Sequence, residues 1–375
     1  MLLLLFGYGL AGILLPRSMR ERSLQAGLAF PTLAGFACTL MIVHMGTGGA
    51  LFASVALTRI VTGATVGLVV AVRLVRSRRD RTEADVPLYV PLVLVAASWA
   101  LWGGPLFSMV PVGHIGNQLL HMGWTAQLMN GAVTPTSGLE GDIPNYYPWL
   151  FHALLAWITR LTPGGRAFHG QGPFLMMQLA GSVLTLYAIG RQIGGAPGGA
   201  AAALLGGLSG GFGWLRAQGA ALVFDPRAEG GQAAGEYLGD LLYRRPYNSS
   251  FHNLVPVFPR DSAYVLLGGF LLLAVVGLAR DSDKDRLLIG SGLVLGLVGV
   301  TGGETFLVGI ATAVGIALCD NRGRRLRTMA CVLFPAGMVS CLWLLPLGVN
   351  YYRLGGFVNT ASQPITLSPV WILNA

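Results

Sequence analysis

The sequence predicts an all-α protein, a polytopic transmembrane bundle of about ten spans with interfacial helices, and three observations carry that reading. Of 375 residues, 53% are hydrophobic and only 11% are charged, whereas soluble domains carry roughly 25% charged residues. The apolar residues fall in blocks of about 15 to 24, the length needed to cross a hydrocarbon core of about 30 Å. The net charge of +9 resides in short arginine clusters between those blocks. Clusters of that kind report orientation in a membrane, not a polyanionic ligand, so nucleic acid is excluded as a partner.

Taken in order, the blocks lie at about 1–15, 24–45, 50–74, 87–110, 148–162, 173–190, 197–215, 263–279, 287–302, 304–319 and 328–349. No basic stretch precedes the first and no A-x-A-like site follows it, so it is expected to be a span and not a cleaved signal. Arg17/Arg20/Arg22, Arg73/Arg76/Arg78/Arg79/Arg81 and Arg322/Arg324/Arg325/Arg327 mark cytoplasmic ends, with Arg191 and the mixed loop Arg280–Arg286 as weaker members. Counting outward from 73–81 and back from 322–327 puts both 111–172 and 216–262 outside the cytoplasm. Only an even number of crossings fits between them, yet three apolar blocks lie there. The shortest, Trp149–Thr162, would reach only about 21 Å as a helix, and it holds His152 and Arg160. It is therefore expected to be interfacial or half-inserted, with 173–190 and 197–215 as the crossing pair. Three regions follow: N-terminal transmembrane helices over 1–86, a core over 87–280 with its two outer segments, and C-terminal transmembrane helices over 281–375.

Composition narrows the class further. Lys284 is the single lysine among many arginines, and Ala and Gly are abundant, a bias that suits a GC-rich bacterial genome and hence an inner (plasma) membrane location. Cys38, Cys319, Cys331 and Cys341 show no CxxC spacing and read as packing residues, with neither disulfide nor metal indicated. No Walker A motif or strand-borne GxGxxG points to a nucleotide. The Asn248-Ser-Ser sequon reads as accidental in such a chain.

The chemistry-bearing residues concentrate in the outer segments. The first reads Gly113-His-Ile-Gly-Asn117-Gln-Leu-Leu-His121, then Asp142-Ile-Pro-Asn-Tyr146-Tyr147-Pro148-Trp-Leu-Phe-His152, and its following span closes on Gly190-Arg191-Gln-Ile-Gly194. Across about 87–275 this pattern resembles the GT-C superfamily, polytopic glycosyltransferases that use polyprenyl-phosphate sugars, and within it some actinobacterial envelope enzymes. The resemblance implies an extracytoplasmic active face, a polyprenyl-phosphate sugar as donor substrate and a cell-envelope glycan as acceptor, with membrane lipid around both. No cofactor is fixed by the sequence; a divalent metal is compatible with the chemistry. A carboxylate would take the acceptor proton, and arginine would hold the leaving phosphate through paired hydrogen bonds.

One residue departs from the pattern. Where the family usually has an acid four residues before the histidine, this chain has Asn117, which cannot act as a base. The catalytic carboxylate is then Asp225, in Phe224-Asp-Pro226 of the second outer segment, or Asp142, or transferase activity has been lost. Substrate-binding candidates are Asn117, His121, Tyr147, His152, Arg244, Arg245, His252 and Glu304. The Arg244–Arg245 pair defies the positive-inside rule, which favours a phosphate partner. The bland alternatives are aromatic-belt packing for the histidines and tyrosines, and solvated positions for the acids and arginines. Arg59, inside an apolar block, is either functional or snorkelling. Two rivals remain: a transporter or flippase for a lipid-linked precursor, and a catalytically inactive GT-C-like partner subunit, which Asn117 favours. The end at Ala375, just after Val370-Trp-Ile-Leu with no soluble domain, suggests a truncated or split enzyme.

Overall fold

An apolar chain of this composition must satisfy its backbone polar groups internally, and helices do so within single segments. The computed structural model describes residues 2–16, 19, 21–77, 90–97, 99, 117–135, 148–163, 170–208, 259–280, 283–320 and 324–354, and among these no strand occurs. The helices are α1 (Leu2–Leu14), α2 (Arg22–Gly27), α3 (Ala29–Gly46), α4 (Ala50–Ala53), α5 (Val55–Ser77), α6 (Asn117–Met129), α7 (Leu150–Leu161), α8 (Gln171–Leu208), α9 (Pro259–Ala279), α10 (Lys284–Gly299), α11 (Gly303–Cys319) and α12 (Arg325–Leu354). Of the block expected at 87–110, residues 90–97 and 99 are helical and the rest lies outside the described residues.

Five stretches are long and apolar enough to cross a membrane: Ala29–Gly46, Val55–Arg76, Gln171–Leu205, Ser262–Ala279 and Arg325–Val349. The flanks of two of them carry large apolar side chains that the bundle leaves uncovered, among them Ile60 at 66% exposure on α5 and Phe334 at 71% on α12. Apolar surface on that scale fits lipid contact. The helix α8 is two helices in one register of the chain. Its backbone breaks at Gly194 and Gly195, the latter at φ +65°, a left-handed conformation suited to glycine. A Cβ on Gly190 would stand 2.4 Å from the Gly198 carbonyl oxygen, so the chain folds back into a hairpin there. Helical arms thus cover the expected 173–190 and, as far as Leu208, the start of 197–215, with Arg191 close to the turn.

Polar bonds gather the arginine-rich helix ends together. Arg76 Nη1 donates to the Ile13 carbonyl at 3.0 Å, Arg286 Nη2 to that of Leu14 at 3.4 Å, and Arg73 Nη2 to Gln25 Oε1 at 2.8 Å. Glu21 accepts from Arg280 Nη2 at 2.5 Å and from Gln192 Nε2 at 3.3 Å. Lys284, the single lysine, is nearly buried and spans both oxygens of Asp320 at 2.7 and 2.8 Å. The first and last helices therefore share one arginine-rich end with the α8 hairpin turn.

At the opposite end α7 lies across the bundle. The Leu150 N–H donates to the Val300 carbonyl in the α10–α11 turn at 3.0 Å. At its other end Arg160 reaches the carbonyls of Phe52 and Ala53, in the turn between α3 and α5. Both turns sit away from the arginine clusters, so α7 does not run from end to end. Its 12 residues would reach only about 18 Å. Residues Leu150 to Thr159 are all buried, and Trp157 Nε1 donates to Thr62 Oγ1 of α5 at 2.9 Å, so the helix is sunk into the bundle and not laid on top.

Helix α10 meets α12 through glycines. A Cβ on Gly292 would lie 2.3 Å from the Val332 carbonyl oxygen, and one on Gly296 2.9 Å from that of Ala336. Small residues of this kind let helix backbones touch in lipid, where the hydrophobic effect does not drive helices together. Gly292→Val is expected to push α12 away and cost about 1–3 kcal/mol. Thermal unfolding in detergent should show a lowered Tm for Gly292→Val and little change for Gly315→Val, since nothing lies within 4 Å of Gly315.

Candidate functional site

The residues that sequence reasoning singled out divide sharply in the structure. Asp142, Tyr147, Asp225, Arg244, Arg245 and His252 lie outside the described residues, as does Tyr146. Asn117 begins α6, with only its backbone described. His121, His152 and Glu304 are placed in full.

His121 on α6 and His152 on α7 meet. The Nδ1 of His121 and the Nε2 of His152 are 3.0 Å apart, and the rings stack at a centroid distance of 5.2 Å. Trp124 and Phe151 each present an edge or face to both rings, at 5.2 to 5.8 Å. Phe174 of α8 extends the cluster by packing on Phe151 at 5.4 Å. His121 and Trp124 share a helix face because three residues separate them. His152 reaches the same spot from the first turn of α7, which starts at Leu150 just after Pro148.

The sequence reading placed both histidines in an outer, interfacial segment as substrate-binding candidates. The structure instead buries them, His121 at 4% and His152 at 0% exposure, because α7 is sunk beneath the helix ends. Burial disfavours the charged imidazole. It pushes His121 down to about 4. His152 is held well below its usual value, first by burial and next by His121, with a backbone hydrogen bond to Pro148 acting the other way. Both rings are neutral at pH 7, and a neutral pair can share one hydrogen bond with one ring donating. Such a pair fixes α6 against α7; it can orient neighbouring groups and does not itself supply charge.

A second set of contacts went unnoticed in the sequence. The Arg160 guanidinium donates to three backbone carbonyls: Phe52 at 2.6 Å through Nε, and Ala53 at 3.3 Å and Met129 through Nη2. These are the last residues of α4 and α6, where carbonyls have no partner within the helix and a cation meets the negative end of the helix dipole. His44 joins the same end: it accepts from the Phe52 N–H at Nδ1 (3.1 Å), so its Nε2 donates to the Ala132 carbonyl (2.8 Å). The turns they tie touch backbone to backbone. Gly49 and Gly131 have φ of +92° and +95°, and a Cβ on Gly49 would sit 1.9 Å from the Gly131 oxygen. His44 had no readable spacing, because its partners are carbonyls and N–H groups that every residue has.

Glu304 is exposed in the first turn of α11, just past the turn that holds Leu150. An acid there is favoured by the helix dipole alone. It has one distinction: among acids with described side chains, Glu21, Asp283, Asp285 and Asp320 belong to the arginine-rich end, and Glu304 alone stands at the end with α7. No group of three or more His, Cys, Asp or Glu among the described residues could hold a metal ion.

The histidine pair makes stability depend on pH. In the unfolded chain imidazole takes up a proton near pH 6.5, while the folded pair resists it. Stability is therefore full well above pH 6.5 and falls as pH drops from there toward about 4, the unfolded state binding more protons throughout. Melting temperature in detergent should decline over that window in the native protein, and decline less in His121→Gln. Equal slopes would show that the two rings are not held neutral.

No protein family, curated protein or solved structure matches the chain, so the likeness to GT-C proteins stands on the quoted residues alone.

Proposed function

We propose that the chain is a GT-C-like membrane glycosyltransferase that moves a sugar from a polyprenyl-phosphate donor to a cell-envelope acceptor. On this reading it sits in the bacterial inner membrane with about ten spans. The arginine-rich end is cytoplasmic, and the end carrying α7 is the extracytoplasmic, working face. What supports the reading is the meeting of two motif residues distant in sequence, His121 of Asn-x-x-x-His and His152 of Tyr-Pro-x-x-x-His, at 3.0 Å. A helix sunk crosswise at one end of the bundle also suits the chemistry. The donor's phosphate lies at membrane level while its sugar must meet a polar acceptor, and such a helix walls a site at that depth.

In this scheme His121 and His152 are positioning residues that lock α6 to α7, and so set the backbone from which Asn117 projects. The base is Asp225, with Asp142 second, and Arg244 and Arg245 receive the phosphate. A second reading has a specific observation in its favour. Asn117 replaces the expected acid, and Glu304 is the one described carboxylate at this end. The chain would then be a binding subunit that presents the lipid-linked sugar to a catalytic partner.

Transfer can be followed in membranes supplied with a panel of radiolabelled polyprenyl-phosphate hexoses and pentoses. Asp225→Asn is expected to lower transfer about 10²–10⁴-fold, the usual loss of a general base, and Asp142→Asn to lower it only in part, with donor binding retained in both. If neither matters and Asn117→Asp does not raise turnover, catalysis by this chain is refuted and the binding-subunit reading replaces it. Orientation has its own check. Cysteines placed singly at Ser137 and Gly230 in a cysteine-free background should both react with an impermeant maleimide on whole cells, and labelling of only one would overturn the proposed topology.

A further inference from the structure

We propose that Arg59 is the headgroup site for an anionic phospholipid of the surrounding membrane leaflet, a role that does not rest on the glycosyltransferase reading. Arg59 stands one turn into α5 and is exposed, on the side of the helix where Val70 and Leu74, and Ile60 at its edge, are also exposed. It is a cation set among apolar side chains that the bundle does not cover. The position is close to the helix end, at the depth where lipid phosphates lie beside a spanning helix that starts at Val55. It belongs to the end opposite the arginine clusters, where the positive-inside rule gives an arginine no topological task.

The local bonding leaves the guanidinium half used. Arg59 Nε donates to the Arg160 carbonyl at 3.2 Å, which fixes the plane of the group. Its two Nη nitrogens bond to none of the described residues. Arg160 beside it is committed to the carbonyls of Phe52, Ala53 and Met129, so among the described residues its charge is met by dipoles and by no carboxylate. Glu304, the one acid at this end whose side chain is described, stands by the Leu150 end of α7, about 18 Å away along that helix. Two adjacent cations without a described counter-charge favour a net-negative headgroup over a zwitterionic one. A planar guanidinium with two free nitrogens suits two phosphate oxygens. The acyl chains of such a lipid would run along the uncovered flank of α5, past Val70 and Leu74.

The test is native mass spectrometry of the full chain released from micelles holding equal phosphatidylglycerol and phosphatidylcholine. The native protein is expected to retain phosphatidylglycerol preferentially. Arg59→Gln should lower that occupancy about tenfold, as loss of a charge-assisted hydrogen bond does, and leave phosphatidylcholine unchanged. Arg59→Lys, which keeps the charge and loses the fork, should fall between. An unchanged Tm would show that the variants fold. Equal retention of the two lipids by the native protein, an undiminished preference in Arg59→Gln, or an equal loss of both lipids would each overturn the proposal.

Discussion

The guanidinium of Arg160 closes the end of the bundle on which the candidate site depends. Helices that stop inside an apolar medium expose carbonyls that neither water nor their own helix can satisfy. The helices α4 and α6 stop in this way, at Ala53 and Met129, and one arginine from the crosswise helix serves both. Because the same side chain belongs to α7, satisfying those carbonyls also fixes where α7 lies. His44 then ties the turn after α6 to the start of α4, and the Gly49–Gly131 contact becomes geometrically required. Removing the cation would leave carbonyls buried and unbonded, at a cost of about 1–3 kcal/mol each.

The burial of His121 and His152 follows from that arrangement. Once α7 is drawn beneath the helix ends, its N-terminal turn is covered by α6 and α8, and its histidine enters an aromatic box with Trp124 and Phe151. A lone buried imidazole would carry an unmet polar atom. Two of them meet part of each other's need while remaining neutral. The pair is thereby a device for holding two short helices in register, and the reactive groups that the proposed chemistry requires must come from elsewhere.

The two ends of the bundle use charge in different ways. At the arginine-rich end the cations meet carboxylates, through Glu21, Asp285 and Asp320, as well as backbone carbonyls. At the opposite end Arg160 meets backbone carbonyls and, among the described side chains, no carboxylate. That difference is the physical basis for expecting an anionic partner at that end.

The alternation of apolar blocks and arginine clusters was enough to read the described residues as helical, and most of the described apolar helices to within a few residues, though α6 at Asn117–Met129 was not among the blocks. It was enough because those properties follow from helix length and from the cost of moving charge across lipid, which are local to each segment. The short length of Trp149–Thr162 together with the parity of crossings likewise indicated a helix that does not traverse the bundle. Other features were settled by tertiary structure alone. The depth of α7, the neutrality of its histidine and the structural task of Arg160 depend on carbonyls of Phe52, Ala53 and Met129, at which no side-chain pattern points. Whether Arg59 was covered by the bundle or left exposed was equally open in the sequence. The packing around α5 leaves it exposed, because a helix shows which flank is covered only when its neighbours are in place.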